Sequence, residues 1–127
     1  MKFLITGGCG FIGSALIKKL LQNKNYYIVN IDALTNSSMP EALKSIEKNN
    51  KYKFIKSNIC NIAEIRKIIF KYKPNIIIHL AAESHVDNSI SSPINFINTN
   101  ILGTYNLITI SNEFFIKNKK NKKFKFI

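Results

Sequence analysis

Three glycines constrain this chain most: Gly7, Gly10 and Gly13 in Thr6-Gly7-Gly8-Cys9-Gly10-Phe11-Ile12-Gly13. They follow the apolar run Lys2-Phe3-Leu4-Ile5 and open a helical pattern expected from Phe11 to about Asn23. Glycines spaced in this way let the backbone turn sharply from a strand into a helix, and let the helix sit close on the sheet. They also let a pyrophosphate reach main-chain N–H groups at the positive end of the helix dipole. A second strand, Tyr26 to Ile31, ends at Asp32, and a carboxylate about 20 residues past the glycines is placed to read a ribose hydroxyl. Together these features predict a dinucleotide-binding unit.

Downstream, strands and helices alternate through short connections, the pattern of a parallel sheet covered on both faces. Ser38-Met39-Pro40-Glu41 reads as a capping box, opening a helix that ends near Asn49-Asn50. Tyr52 to Lys56 reads as strand three. Asn61-Ile62-Ala63-Glu64 repeats the capping pattern, and Ile62, Ile65, Ile68 and Ile69 are expected on one buried helix face. Ile76 to Ile78, with His79-Leu80, reads as strand four, buried on both faces. A loop from Ala81 to Ser92 leads to Pro93, suited to the first turn of a long helix reaching Asn112 or beyond. Phe124 to Ile127 begins a fifth strand. The expected fold is a doubly wound α/β sheet of strand order 3-2-1-4-5. Residues 1–127 read as the first part of a longer dinucleotide-binding domain, broken off within or just after strand five.

The net charge is +12, from 18 lysines and one arginine against seven acidic residues. Lysines are scattered over surfaces, with one dense run, Lys117-Asn118-Lys119-Lys120-Asn121-Lys122-Lys123. A nucleic-acid binder favours arginine forks and aromatic platforms on one face, so a solvated loop is the preferred reading and nucleic acid is not an expected partner. No stretch reaches the roughly 18 to 20 apolar residues that span a bilayer, and no membrane partner is expected. Two cysteines imply no disulfide framework and fit a reducing cytoplasm. No His, Cys, Asp and Glu spacing suggests a metal site.

Four segments together resemble the extended short-chain dehydrogenase/reductases, and among them the N-terminal part of the dTDP-glucose 4,6-dehydratases. They are the glycine stretch through Ser14, Asp32-Ala33-Leu34-Thr35, His79-Leu80-Ala81-Ala82-Glu83-Ser84-His85-Val86-Asp87, and Phe96-Ile97-Asn98-Thr99-Asn100-Ile101-Leu102-Gly103-Thr104. The resemblance runs the length of the chain. It implies NAD as cofactor, a dTDP-glucose type of nucleotide sugar as substrate, and a lyase that forms the 4-keto-6-deoxy sugar. Phe11 and Ile12 would then face the pyrophosphate. Asp32 would bind the adenosine ribose and disfavour a 2′-phosphate, with Ala33, Leu34 and Thr35 lining that ribose. Asn58 and Ile59 would flank adenine. Leu80, Ala81, Ala82, Glu83 and Ser84 would pass the cofactor, Ser84 reaching toward the sugar, and Thr99 would close the site.

Blander readings stand beside these. Phe11, Ile12, Leu34 and Leu80 also suit a core, Asp32 also suits a local cap, and His85, Glu83 and Asp87 also suit a solvated loop. Cys9, just before a helix N-terminus, is either an activated thiol or a small buried residue. Asn58 and Asn88 stand where the resembled family has aspartate and arginine. The family's Ser-Thr-Asp-Glu segment and Tyr-x-x-x-Lys pair would follow Ile127, so no catalytic residue is assigned here. The chain then holds the cofactor half of a site, completed by a complementing C-terminal half. A non-enzymatic NAD-binding remnant and another nucleotide-sugar epimerase or dehydratase are the alternatives.

Overall fold

The computed structural model describes residues 1–84, 90, 92–118 and 123–127. His85, Val86, Asp87 and Asn88, and the run from Lys119 to Lys122, lie outside the described residues.

Five parallel strands form one sheet in the order β3-β2-β1-β4-β5. They are β1 (Lys2–Thr6), β2 (Tyr27–Asp32), β3 (Tyr52–Lys56), β4 (Ile76–His79) and β5 (Lys125–Phe126). The helices are α1 (Phe11–Leu20), α2 (Ile62–Tyr72), α3 (Pro93–Phe96) and α4 (Thr104–Lys117), with a 3₁₀ segment at Pro40–Ile46. A π-helical stretch, Ile97–Gly103, joins α3 to α4. The expected strand order and α/β class are those observed.

Alternation along the strands divides the core in two. Phe3, Ile5 and Ile28 pack with Ile17 of α1 and Leu43 of the 3₁₀ segment on one face. Leu4, Val29, Ile31 and Ile77 pack with α2 and α4 on the other. The α2 residues Ile65, Ile68 and Ile69 are buried there with Leu107, Ile110 and Phe114 of α4. Each such side chain contributes roughly 1.5–3 kcal/mol relative to exposure. Helices on both faces make the sheet doubly wound.

Several boundaries differ from expectation. Ser38 does not cap a helix: its hydroxyl donates to Asp32, and the segment behind it is a short 3₁₀ helix starting at Pro40. Ile62 stays 39% exposed, because α2 presents only Ile65, Ile68 and Ile69 to the sheet. The helix expected to reach Asn23 ends at Leu20, where Gln22 and Asn23 turn back on Lys19 and Leu20. At α2 the Asn61 expectation holds: its side chain accepts from the Glu64 N–H. Lys73 ends α2 in the left-handed region (φ 49), and Pro74 prevents continuation. Of β4, only Ile77 is fully buried. No helix of the described residues is long and apolar enough to cross a membrane.

Strand register brings Thr6, Ile31 and His79 level at the carboxyl edge of the sheet. Asp32 and Lys56 end the neighbouring strands at that edge. The chain leaves β1 and β4 toward opposite faces, so a crevice opens between them, where open α/β sheets bind ligands.

Candidate functional site

The crevice is built first by the glycine turn. Gly7 leaves β1 at φ 72, and a Cβ there would meet the Ala81 nitrogen at 2.6 Å. Only glycine fits that conformation against the backbone following β4. A Cβ on Gly13 would strike the Gly7 carbonyl and Gly8, so its absence lets α1 start directly on the turn. Gly10 donates its N–H to the Gly7 carbonyl and is the N-cap of α1, with no side chain capping that end. The first-turn N–H groups of a helix have no partner within it. No acidic residue occupies this first turn, which leaves its positive dipole end available to an anion. Phe11 and Ile12 are 81% and 68% exposed beside it.

Asp32 organises the second wall. It is 6% exposed, and its carboxylate accepts three hydrogen bonds. The Cys9 N–H reaches Oδ2 at 2.8 Å, while the Leu34 N–H and the Ser38 hydroxyl reach Oδ1 at 2.9 Å each. The carboxylate thus ties the glycine turn to the exit of β2. The bond to Leu34 is the local turn that sequence allowed for, and Leu34 itself is held at φ 57.

The remaining walls hang on the long helix. The Asn100 side chain accepts from the Glu83 N–H and donates to the Glu83 carbonyl, both at 2.9 Å. Asn106, buried in α4, donates to the carbonyls of Ile59 and Cys60. Asn58 accepts from the Cys60 N–H and so shapes the turn after β3. His79 bridges two hydroxyls, with Nδ1 at 2.7 Å from Thr6 Oγ1 and Nε2 at 2.9 Å from Thr104 Oγ1. Burial pushes the His79 pKa below its ordinary value.

Of the residues expected to bind cofactor, Gly7, Gly10, Asp32, Ala33, Thr35, Asn58, Ile59, Leu80, Ala81, Ala82, Glu83 and Thr99 line one cleft. Phe11, Ile12, Gly13, Leu34 and Ser84 are not in its lining. Ser84 is exposed, one residue beyond the Glu83 clamp. Sequence reasoning missed Ile31, Ser37, Ser38 and Ser57, which line the same cleft. It assigned no role to Asn100 and Asn106. Asn100 stood in the resemblance segment from Phe96 to Thr104, and Asn106 only in the apolar helix that follows it.

Among the described residues, the cleft lining contains no lysine or arginine, although the chain has 19 basic residues. Its charged residues are Asp32 and Glu83.

Cys9 resolves to the bland alternative. It is 2% exposed, and burial, then the Asp32 charge, push its thiol up to about 11. Its N–H donates to the carboxylate, and its sulfur accepts from the Asn30 amide. Cys60 is partly exposed and donates its S–H to the Asn98 carbonyl, and burial raises its pKa as well.

With this geometry in view, the relatives are informative. The dTDP-glucose 4,6-dehydratase of Salmonella typhimurium is 46% identical over 126 residues, covering 99% of this chain and 35% of that protein. The structure of the dTDP-glucose 4,6-dehydratase of Bacillus anthracis in complex with NAD superposes with a TM-score of 0.80 at 35% identity. It matches 90% of this chain and 34% of that one. The UDP-glucose 4-epimerase of Thermotoga maritima, solved with UDP-glucose, gives a TM-score of 0.79 at 32% identity, covering 90% of this chain and 35% of that one. The chain spans about a third of the length of these relatives. The family model described as GDP-mannose 4,6 dehydratase matches residues 4–127, nearly the whole chain, and this chain belongs to that family.

Proposed function

We propose that this chain is the N-terminal, NAD-binding part of a nucleotide-sugar 4,6-dehydratase acting on dTDP-glucose. The observation that carries the reading is the cleft between the uncapped start of α1 and the buried Asp32. The residues suit NAD. The turn at Gly7 and Gly13 leaves backbone room for a pyrophosphate, and the first N–H groups of α1 supply its donors. Asp32 supplies an acceptor for a ribose hydroxyl. A 2′-phosphate would meet the Asp32 carboxylate with no basic side chain among the described lining residues to offset it. The cleft therefore favours NAD over NADP.

Bound NAD would accept a hydride from the sugar and return it. The chain's own residues bind and orient: Thr99 and Leu80 to Glu83 wall the cleft, and Asn100 keeps that wall in place. The acid–base groups belong to the remaining two-thirds of the relatives' length, which we read as the complementing half. The 46% identity to the dehydratases of Salmonella typhimurium and Haemophilus influenzae supports dehydration. Two free cysteines suit a reducing cytoplasm.

Calorimetry with NAD and NADP tests the cofactor reading; equal or tighter NADP binding contradicts it. The 127-residue chain alone is expected to give no 4-keto-6-deoxy product from dTDP-glucose. Turnover is expected on adding the C-terminal two-thirds of the Salmonella relative. NAD binding without any such rescue would favour a non-enzymatic binding module.

A further inference from the structure

A carboxylate offers about four acceptor positions. On Asp32 three are filled: two on Oδ1, by Leu34 N–H and Ser38 Oγ–H, and one on Oδ2, by Cys9 N–H. Oδ2 alone has a position left. A ribose diol brings two hydroxyl donors, so Asp32 cannot accept both while the loop keeps its shape. Ser38 lines the same cleft. Its hydroxyl gives its one proton to Asp32 and retains two acceptor lone pairs. Donation to a carboxylate also polarises the hydroxyl and strengthens it as an acceptor. The backbone holds Ser38 there, since its N–H bonds the Thr35 carbonyl at 2.9 Å and the Met39 N–H bonds the Cys9 carbonyl at 2.7 Å.

We propose that Ser38 is a second ribose-reading residue of this cleft, accepting one hydroxyl of the adenosine ribose while Asp32 Oδ2 accepts the other. The proposal rests on the NAD reading above and deepens it. The diol is shared between two side chains, one charged and one neutral, six residues apart. Loss of Ser38 therefore removes one contact and leaves the other.

The test is calorimetry of NAD and of its 2′-deoxy and 3′-deoxy adenosine forms, with the unsubstituted chain, Ser38→Ala and Ser38→Thr. Ser38→Ala is expected to weaken NAD about five-fold, the effect of one neutral hydrogen bond. Ser38→Thr, which keeps the hydroxyl, should restore most of that loss. One deoxy form, lacking the hydroxyl that Ser38 reads, should bind the Ala variant and the unsubstituted chain equally. If Ser38→Ala weakens NAD and both deoxy forms by the same factor, Ser38 acts only through Asp32 and the proposal fails. It fails too if Ser38→Ala leaves NAD binding unchanged. If the unsubstituted chain binds none of the three dinucleotides, the NAD reading itself is overturned, and the proposal with it.

Discussion

Asn100 holds the backbone of Glu83 at two points, accepting its N–H and donating to its carbonyl at 2.9 Å each. The pairing copies a strand-like bond with a side-chain amide. It joins the π-helical stretch to the segment leaving β4 across 17 residues. The π-helical stretch that carries this clamp also places Thr99 in the cleft lining.

Asn100→Ala should release this wall. Each neutral hydrogen bond contributes about 0.5–1.5 kcal/mol, so the pair is worth roughly 1–3 kcal/mol of local order. Hydrogen exchange at the Glu83 amide should accelerate about tenfold or more, with smaller changes in the buried strands. Unchanged exchange would show that the wall is held from elsewhere.

Asp32→Asn tests the carboxylate without changing its size. The amide oxygen can accept on one side only, so either the Cys9 N–H or the Leu34 N–H is left facing a donor. Hydrogen bonds to charged groups contribute roughly 1.5–3 kcal/mol, and chemical unfolding should show a loss of that order. The preference for NAD over NADP should narrow in the same variant. A variant as stable as the parent would mean the bond so lost is dispensable.

Cys60 should be alkylated before Cys9. Cys9 is shielded and its thiol lies at about 11, while Cys60 is partly exposed. Brief iodoacetamide treatment followed by mass spectrometry should label Cys60 at neutral pH and reach Cys9 only on unfolding. Faster labelling of Cys9 in the native chain would restore the activated-thiol alternative.

His79 should make stability depend on pH below about 6.5. Its folded pKa is held below the ordinary 6.5 by burial, so as pH falls the unfolded chain takes up the proton first. The unfolded state then binds more protons than the folded one, and stability declines from pH 6.5 down to the folded pKa. Above 6.5 both states are neutral and this contribution is constant. Melting curves between pH 7.5 and about 5.5 should show the decline, and His79→Gln should flatten it. An identical slope in the variant would place the titration on another group.

Local periodicity and motif chemistry were sufficient for the strand order, the α/β class and most of the cleft. The reason is that the turn conformation of Gly7, the contact of Gly13 with that turn, alternation along β1 and β2, and the Asn61 cap are each written within a few residues, even though the room Gly7 leaves is filled by the distant Ala81 backbone. Ser38 shows where that logic stopped. Its spacing from Glu41 read as a helix cap, but folding brought the Asp32 carboxylate within 2.9 Å of its hydroxyl, and the segment behind it is a 3₁₀ helix that starts at Pro40 with no side-chain cap. Cys9 depended on tertiary structure in the same way. Its position before a helix suggested a low pKa, whereas burial under the turn and the nearby Asp32 charge raised it. The roles of Asn100 and Asn106 were likewise decided only by tertiary structure. Each satisfies backbone groups of loops 17 and about 46 residues earlier in the chain, and such long-range pairings leave no periodic trace in sequence.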